Sequence, residues 1–229
     1  HHLHRLLKKD TMSKKETELV FYARVGNAAG LEQAQKTIYQ EQVQIKGPNG
    51  RIRVRMEKSK GEEGYSYNLV TKRNFSKEGG VQVCDEPEAV TISAEAYEMF
   101  KSVNDEYMRK VRYVFPIESI KIEAPGLTGQ IEVPGLCYEV DRFLTQDGAF
   151  SEWVKIDLEI DALLQALEKA GISLDIEQHI VAKLSALPFD PQAAFHDDGS
   201  KDNAMRTLVD KIYETQFLRR IAGQPEQTV

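Results

Sequence analysis

Cysteine is scarce in this sequence: it contains only Cys84 and Cys137, which lie far apart. Two cysteines are too few for a disulfide-stabilised scaffold, and their spacing does not form a CxxC metal-binding pair. No apolar run approaches the ~20 residues that a membrane-spanning helix requires. The sequence therefore predicts a cytoplasmic protein with reduced thiols and no membrane contact.

An excess of one charge is also absent, because 30 basic and 36 acidic residues leave a net charge of −6. Domains that bind nucleic acid over much of their surface are usually basic, so this balance argues against a nucleic-acid partner. The GxxxxGK[ST] loop of P-loop triphosphatases does not occur in the sequence either. The 41% of hydrophobic residues is enough for a sizeable core.

The pattern of the sequence divides the chain into three parts. Residues 1–11 contain three histidines and are expected to derive from a tag, with Met12 as the natural start. Residues 12–160 consist mainly of strand-forming segments, with one helix inserted near 93–106. Residues 161–229 are expected to form a helical region that packs on the strands. A run of strands followed by helices predicts an α+β fold.

Local signals mark several boundaries within these parts. Gly47-Pro48-Asn49-Gly50 predicts a tight turn that joins two strands into a hairpin. In the last part we expect helices at 161–171, 175–187 and 202–222. A polar loop rich in aspartate and glycine is expected between the second and the third of these helices.

The strand-forming segments alternate charged and apolar residues in an unusual way. Side chains alternate between the two faces of a strand, so residues two positions apart share a face. In residues 51–56, for example, three arginines share one face and three apolar residues share the other. Six segments together place seven bases and six acids on such faces: Arg51, Arg53, Arg55, Lys72, Lys110, Arg112 and Lys155, with Glu16, Glu18, Glu139, Asp141, Asp157 and Glu159.

Two structures would produce this alternation. An ordinary antiparallel sheet with one wet face explains any single segment. Across all six segments, however, the polar faces are almost purely ionic, with bases on the middle strands and acids mainly on the first and the late ones. A closed barrel with this face inward would enclose a charged tunnel, which is costly unless the charges pair or bind ions. A polyphosphate with a divalent cation would satisfy both sets of charges.

The order of these segments resembles the CYTH, or triphosphate tunnel metalloenzyme, superfamily. The resemblance extends over most of the native chain and rests on five motifs in the family's order: Glu16-Thr-Glu18, Arg53-Val54-Arg55 with the following Lys72, Lys110-Val111-Arg112-Tyr113, Glu139-Val140-Asp141-Arg142-Phe143 and Lys155-Ile156-Asp157-Leu158-Glu159. It implies a closed antiparallel eight-stranded β-barrel with an inserted helix and C-terminal helices. The implied activity is the metal-dependent hydrolysis of a triphosphate, either inorganic tripolyphosphate or a nucleoside triphosphate.

The resemblance also implies roles for individual residues. The cofactor would be Mg²⁺ or Mn²⁺, and the partner a small molecule that contains a triphosphate. The substrate-binding residues would be Arg51, Arg53, Arg55, Lys72, Lys110 and Arg112. The metal ligands would be Glu16, Glu18, Glu139, Asp157 and Glu159, and the catalytic residues Glu18 and Lys155. The oligomeric state is left open between a monomer and a homodimer.

Two positions depart from the family's pattern. Val20 stands where the first motif has a lysine, and Lys155 stands where the closing strand has its first glutamate. We therefore expect Lys155 to replace the missing lysine from another strand. The departures leave two alternatives to hydrolysis open, which are a non-catalytic protein that binds polyphosphate or nucleotides and a class IV-like adenylate cyclase.

Overall fold

The alternating segments form strands in the structure, a computed structural model that describes residues 14–78, 81–117, 120–121, 130–131, 133–173, 176, 180, 184–185, 187–197 and 203–226. Eight long strands are β1 (Lys14–Val25), β2 (Lys36–Gly47), β3 (Gly50–Ser59), β4 (Ser66–Glu78), β5 (Val81–Glu86), β7 (Glu106–Pro116), β10 (Cys137–Leu144) and β11 (Phe150–Glu159). The short strands β6 (Val90–Thr91), β8 (Ile120–Lys121) and β9 (Gln130–Ile131) lie between them along the chain.

The eight long strands close into an antiparallel barrel. Their order around it is β1-β5-β4-β3-β2-β7-β10-β11, and β11 pairs again with β1. The expected closed eight-stranded barrel is therefore confirmed. The predicted turn at 47–50 joins β2 to β3, where a Cβ atom on Gly50 would collide with the carbonyl oxygen of Lys72.

Strand register brings the charged residues together on the inner face of the barrel. Asp141 lies opposite Arg112 on β7 and opposite Lys155 on β11. Arg51 of β3 lies opposite Lys72 of β4. Because directly opposed residues of antiparallel strands share a face, their side chains are neighbours inside the barrel.

The outer face of the barrel is apolar where helices and loops cover it. Leu19 and Phe21 of β1 alternate with the inward residues and pack in a buried cluster with Ile156 of β11. The helix α2 (Asp161–Ala170) adds Leu163 and Leu167 to this cluster. Burial of this surface stabilises the barrel from outside, so the interior can remain polar.

Three α-helices and one 3₁₀ helix accompany the strands in the described part of the chain. The 3₁₀ helix is Ala28–Gln33, the inserted helix α1 is Ala94–Ser102, and α3 is Asn203–Thr215. Ser93 caps α1 by accepting a hydrogen bond from Ala96 N at 3.1 Å. None of the helices described here has both the length and the apolar character needed to cross a bilayer.

Residues 161–229 contain two strands in addition to helices, which the sequence did not predict. The helix expected at 202–222 ends at Thr215, and β13 (Leu218–Arg219) then pairs with the start of β7. The expected polar loop includes β12 (Phe189–His196), which pairs with β1. Both pairings join residues distant in sequence, so local composition carries little sign of them. The helix expected at 175–187 lies mostly outside the described residues.

Candidate functional site

The barrel encloses a cavity of about 270 Å³, called the tunnel here. All the residues to which the sequence assigns a role line it: Arg51, Arg53, Arg55, Lys72, Lys110, Arg112, Glu16, Glu18, Glu139, Asp157, Glu159 and Lys155. Strand alternation had placed them on shared faces, and the family resemblance implied that these faces line a tunnel. Sequence reasoning did not assign roles to the other lining residues, among them Gln42, Gln44, Gln82, Glu86, Tyr213 and Gln216. The glutamines lack charge and gave no signal.

Arg55 is a buried cation whose hydrogen-bonding partner in the tunnel is neutral. Its Nε and Nη2 donate to Gln42 Oε1 at 3.1 and 2.8 Å. Burial lowers the pKa of Arg55 well below its ordinary range, and the nearby Arg53 and Arg112 lower it further. Among the described residues Arg55 has no ion-pair partner within 4.0 Å. An anion in the tunnel would therefore stabilise Arg55 strongly.

Arg53 lies beside Arg55 on the inner face of β3 and is in a similar position. Its Nε is buried and has no hydrogen-bond partner among the described residues. Burial lowers the pKa of Arg53, while the carboxylate of Glu86 partly opposes this shift. The two arginines thus present guanidinium groups that a multivalent anion such as a phosphate chain can bind.

Asp141 holds two other bases in place on the inner face. It is fully buried and accepts hydrogen bonds from Lys110 Nζ at 2.7 Å and from Arg112 Nε and Nη2 at 2.8 and 3.0 Å. Although burial opposes the charged form, these two cations lower the pKa of Asp141 below its usual range. Arg112 Nη1 lies 2.8 Å from Glu139 Oε2. The network fixes the direction of the Arg112 guanidinium before any ligand binds.

The acidic wall consists mainly of side chains from β1 and β11. Glu18 and Asp157 are only 7% and 8% exposed. Burial and the neighbouring Asp157 carboxylate raise the pKa of Glu18. Asp157 Oδ1 is buried and has no hydrogen-bond partner in the described ranges, although Lys155 Nζ lies 3.4 Å from it. Two adjacent buried carboxylates with an unsatisfied oxygen are a donor set that suits a divalent cation.

A second pair of carboxylates shares one lysine. Lys72 Nζ lies 3.0 Å from Glu86 Oε2 and 3.6 Å from Glu16 Oε2. Burial and the hydrogen bond with Glu86 raise the pKa of Glu16 to about 9. The pKa of Glu86 falls to about 2 although burial opposes this, because Glu16 and Lys72 stabilise its charge. At neutral pH the pair therefore holds one proton.

The cysteine nearest to this pair is a thiol at neutral pH. Glu16, Cys84 and Glu86 offer ligand atoms that all lie within 4.8 Å of one another. Burial raises the pKa of Cys84 to about 11, so the sulfur is protonated under physiological conditions. The oxygens of this group are thus better ligands for a hard cation than its sulfur.

The helix α3 covers the inner face of β1 at the position where the family has a lysine. Val20 and Tyr22 form a buried apolar cluster with Val209 and Ile212 of α3. The C-terminal end of this helix brings Tyr213 to the tunnel wall. The C-terminal part of the chain thus completes the tunnel.

The ammonium of Lys155 lies on the same wall. Although burial opposes the charged form, Asp157 and Tyr22 raise the pKa of Lys155 above its ordinary value. Lys155 therefore stays charged at neutral pH, and it faces the acidic residues as its strand parity predicted.

Comparison with known proteins gives a structural likeness at low sequence identity. No protein-family model matches the chain, and no curated protein matches it in sequence. A putative adenylyl cyclase from Hippeastrum, described as revealing a dominant triphosphatase activity, is 15% identical with a TM-score of 0.42 and covers 73% of this chain and 96% of its own. The PH1819 protein from Pyrococcus horikoshii OT3 is 14% identical with a TM-score of 0.48, and the match covers 86% of this chain and 99% of PH1819. The inorganic triphosphatase NE1496 is 17% identical with a TM-score of 0.33, and the match covers 70% of this chain and 81% of NE1496.

Proposed function

We propose that this chain is a member of the CYTH superfamily and hydrolyses a triphosphate with the help of a divalent cation. The observation that supports the proposal most strongly is the buried Arg55, whose hydrogen-bonding partner Gln42 is neutral. Among the described residues no carboxylate lies within ion-pair distance of Arg55, although Asp141 and Glu57 partly oppose the fall of its pKa. A phosphate oxygen is the kind of anion that would offset the remaining cost of burying this guanidinium. Arg53 beside it supports the same interpretation, because none of the described residues accepts a hydrogen bond from its buried Nε.

The basic residues that line the tunnel, called the basic wall here, would bind the phosphate chain. Arg53 and Arg55 can each donate two parallel hydrogen bonds to phosphate oxygens, which fixes the orientation of a phosphoryl group. Asp141 holds Arg112 and Lys110 on the neighbouring wall, so these cations are positioned before the substrate arrives. Lys72 and Arg51 lie opposite each other on β4 and β3 and extend the basic wall.

The acidic wall is the proposed place for the metal. Glu18 and Asp157 fit a hard divalent cation such as Mg²⁺ or Mn²⁺, with Glu16, Glu139 and Glu159 on the same tunnel wall or next to it. A cation bound there would neutralise charge on the phosphate chain and polarise a phosphoryl oxygen. Glu18 is proposed to act in turnover as well as in metal binding; burial and the neighbouring Asp157 carboxylate raise its pKa, so without a metal it is a stronger base than an ordinary glutamate.

A release assay tests the proposal. Wild-type protein should release phosphate from tripolyphosphate, ATP or GTP in Mg²⁺ or Mn²⁺ and lose this activity in EDTA. Glu18→Gln should reduce turnover at least tenfold, whereas Glu152→Gln, which alters an exposed carboxylate, should have no effect. Product analysis is part of the assay, since cyclic AMP with pyrophosphate would indicate a cyclase instead. Absence of turnover with every substrate and metal would contradict the proposal.

One observation favours a second candidate, a binding protein without catalysis. The Lys155 ammonium lies 3.4 Å from Asp157 and partly neutralises the acidic wall without a metal. A binder would bind tripolyphosphate tightly, and more tightly in Mg²⁺ than in EDTA, but would release no phosphate over hours. Calorimetric titration of the same preparation used for the release assay separates the two candidates.

A further inference from the structure

The bases that line the tunnel differ in whether a carboxylate lies beside them. Those on β4, β7 and β11 each have a carboxylate at ion-pair distance: Lys72, Lys110, Arg112 and Lys155. Within the described part of the chain, the three bases on β3 have no carboxylate at this distance: Arg51, Arg53 and Arg55. The charge of the β3 arginines is therefore left without a close partner inside the protein.

Strand β2 supplies the neighbours of these arginines, and two of them are neutral amides. In the ladder between β2 and β3, Gln42 lies opposite Arg55 and Gln44 lies opposite Arg53. Both glutamines line the tunnel. Because opposed residues of antiparallel strands share a face, the side chain at position 42 or 44 is the one placed to pair with an arginine of β3.

Gln42 fixes the direction of the Arg55 guanidinium. Its Oε1 accepts hydrogen bonds from Arg55 Nε and Nη2 at 3.1 and 2.8 Å, and its Nε2 donates to Met108 Sδ at 3.4 Å. Gln42 and Met108 are each only 4% exposed, so solvent competes little for these bonds. Arg55 Nη1 has no hydrogen-bond partner among the described residues. One edge of the guanidinium is thus held, and Nη1 remains for a ligand.

A glutamate at position 42 would fill the same space with the opposite electrostatic effect. Its carboxylate would accept the same two hydrogen bonds and form a bidentate ion pair with Arg55. The weak hydrogen bond to the Met108 sulfur would be lost, which is the smaller effect. Because Arg55 is buried, this ion pair would stabilise the ligand-free protein and weaken the attraction of Arg55 for any other anion.

Gln44 and Arg53 form a second pair in which a neutral amide faces an arginine. Gln44 Oε1 and Arg53 Nε are both buried, and neither atom has a hydrogen-bond partner among the described residues. A carboxylate at position 44 would lie opposite Arg53 and would partly neutralise it. The same consequence of a neutral residue therefore recurs one pair further along the ladder.

We propose that Gln42 is a positioning residue that orients Arg55 without neutralising it, so that the charge of this arginine is kept for a polyanionic ligand. Gln44 leaves the charge of Arg53 available in the same way. This inference rests on the proposed function and deepens it, because it identifies the residues that keep the tunnel ready to bind a phosphate chain. The neutral glutamines make the free protein less stable than glutamates would and make its affinity for the ligand higher.

The test replaces each glutamine by the isosteric glutamate and measures affinity and stability in the same preparation. Isothermal titration calorimetry in EDTA gives the affinity for tripolyphosphate without turnover, and urea denaturation gives the stability of the ligand-free protein. Gln42→Glu should bind tripolyphosphate at least tenfold more weakly than wild type, while its urea midpoint should be higher. Gln44→Glu should also lower the affinity at least tenfold without lowering the midpoint.

Gln33→Glu is the matched control, because it makes the same substitution at an exposed glutamine outside the tunnel. Its affinity should stay within twofold of wild type, which excludes an effect of net charge alone. If Gln42 only supported the structure, Gln42→Glu would keep the affinity, since its shape and its hydrogen bonds to Arg55 are retained. Unchanged affinity or a lowered midpoint in Gln42→Glu would overturn the inference for Arg55, and the same result in Gln44→Glu would overturn it for Arg53.

Failure of the proposed function would give a different result. If wild-type protein bound no tripolyphosphate, the proposed function would fail, yet the urea midpoints would still test the glutamines. A raised midpoint in Gln42→Glu would then support the inference that Gln42 leaves Arg55 without a counter-charge, and a lowered one would overturn it. If wild type bound tripolyphosphate and Gln42→Glu bound it equally well, the proposed function would stand and only the inference would fall.

Discussion

Val20 lies directly opposite Asp157 in the ladder between β1 and β11, yet its side chain packs against α3. The position at which the family's first motif has a lysine is thus occupied by part of an apolar cluster with Val209 and Ile212. Within the described part of the chain, the ammonium at ion-pair distance from Asp157 comes instead from its own strand, from Lys155 at 3.4 Å. Val20 and Lys155, the two residues that depart from the family's pattern, are therefore both neighbours of Asp157.

Restoring the lysine of the first motif should destabilise the protein. Val20→Lys would place an ammonium in a cluster that is almost free of solvent, because Val20 is only 2% exposed. We expect the free energy of unfolding to fall by roughly 2–5 kcal/mol, measured by urea denaturation. Val90→Lys, a substitution at an exposed valine, is the control and should lower the free energy of unfolding far less. Unchanged stability of Val20→Lys would mean that α3 does not cover this position.

The charge of Lys155 should matter for ligand binding. Lys155→Glu would place a third carboxylate beside Asp157 and Glu18, so tripolyphosphate affinity in EDTA should fall at least tenfold. Lys155→Met keeps the length of the side chain without its charge, and its affinity for tripolyphosphate should fall less. The measurement is isothermal titration calorimetry. Equal affinities for wild type and Lys155→Glu would show that Lys155 does not act on the phosphate chain.

Arg53 should contribute directly to triphosphate binding. Arg53→Ala removes a guanidinium whose buried Nε has no partner in the part of the chain that the structure describes, so tripolyphosphate should bind more weakly by about 1.5–3 kcal/mol. Arg24→Ala is the control, since Arg24 is an exposed arginine paired with Glu152 at 2.8 Å. Calorimetry should show normal affinity for that control. If both variants bound like wild type, the ligand would lie outside the tunnel.

Asp141 should be essential for stability because it neutralises two buried cations. Asp141→Asn would leave Lys110 and Arg112 without their shared carboxylate, and the unfolding free energy should fall by about 3–5 kcal/mol. Asp210→Asn, on the exposed side of α3, should change it by less than about 0.5 kcal/mol. Urea denaturation measures both, and a loss below 1 kcal/mol for Asp141→Asn would contradict the network described here.

Stability of the metal-free protein should depend on pH through Glu16. Its pKa is raised from 4.5 to about 9, so the folded protein keeps a proton that the unfolded chain releases above about pH 4.5. Unfolding free energy should therefore decrease as pH rises from 5 to 9. The pKa of Glu86 moves to about 2, which affects stability only below this range. Urea denaturation in EDTA should show that the unfolding free energy of Glu16→Gln decreases less between pH 5 and 9 than that of the wild type. If both proteins showed the same pH dependence, Glu16 would not be its cause.

Strand parity placed the charged residues on one face of their strands, and the resemblance to the CYTH superfamily implied that this face points into a closed barrel. Alternation fixes which face a residue lies on, so Arg53 and Asp157 could be placed on the inner face without knowledge of the pairing. The turn at 47–50 could also be predicted from local sequence, because its residues favour a tight turn whatever surrounds them.

Contacts between distant residues could not be predicted in this way. The pairing of Leu218 with Tyr107 and of His196 with Phe21 depends on where the barrel places β7 and β1. The position of α3 over Val20 depends on these pairings in turn. Gln216 gave no signal because a glutamine near the end of a helix is usually at the surface; only the folded chain shows it buried beside the tunnel.

The most direct test of the account is a crystal structure of the protein with tripolyphosphate bound, determined in EDTA to exclude metal effects. Phosphate density is expected inside the barrel, with phosphate oxygens within hydrogen-bonding distance of Arg53, Arg55 and Arg112. Arg55 should gain an anionic partner in addition to Gln42. Density for the ligand outside the barrel, or a tunnel that stays free of phosphate at saturating ligand, would contradict it.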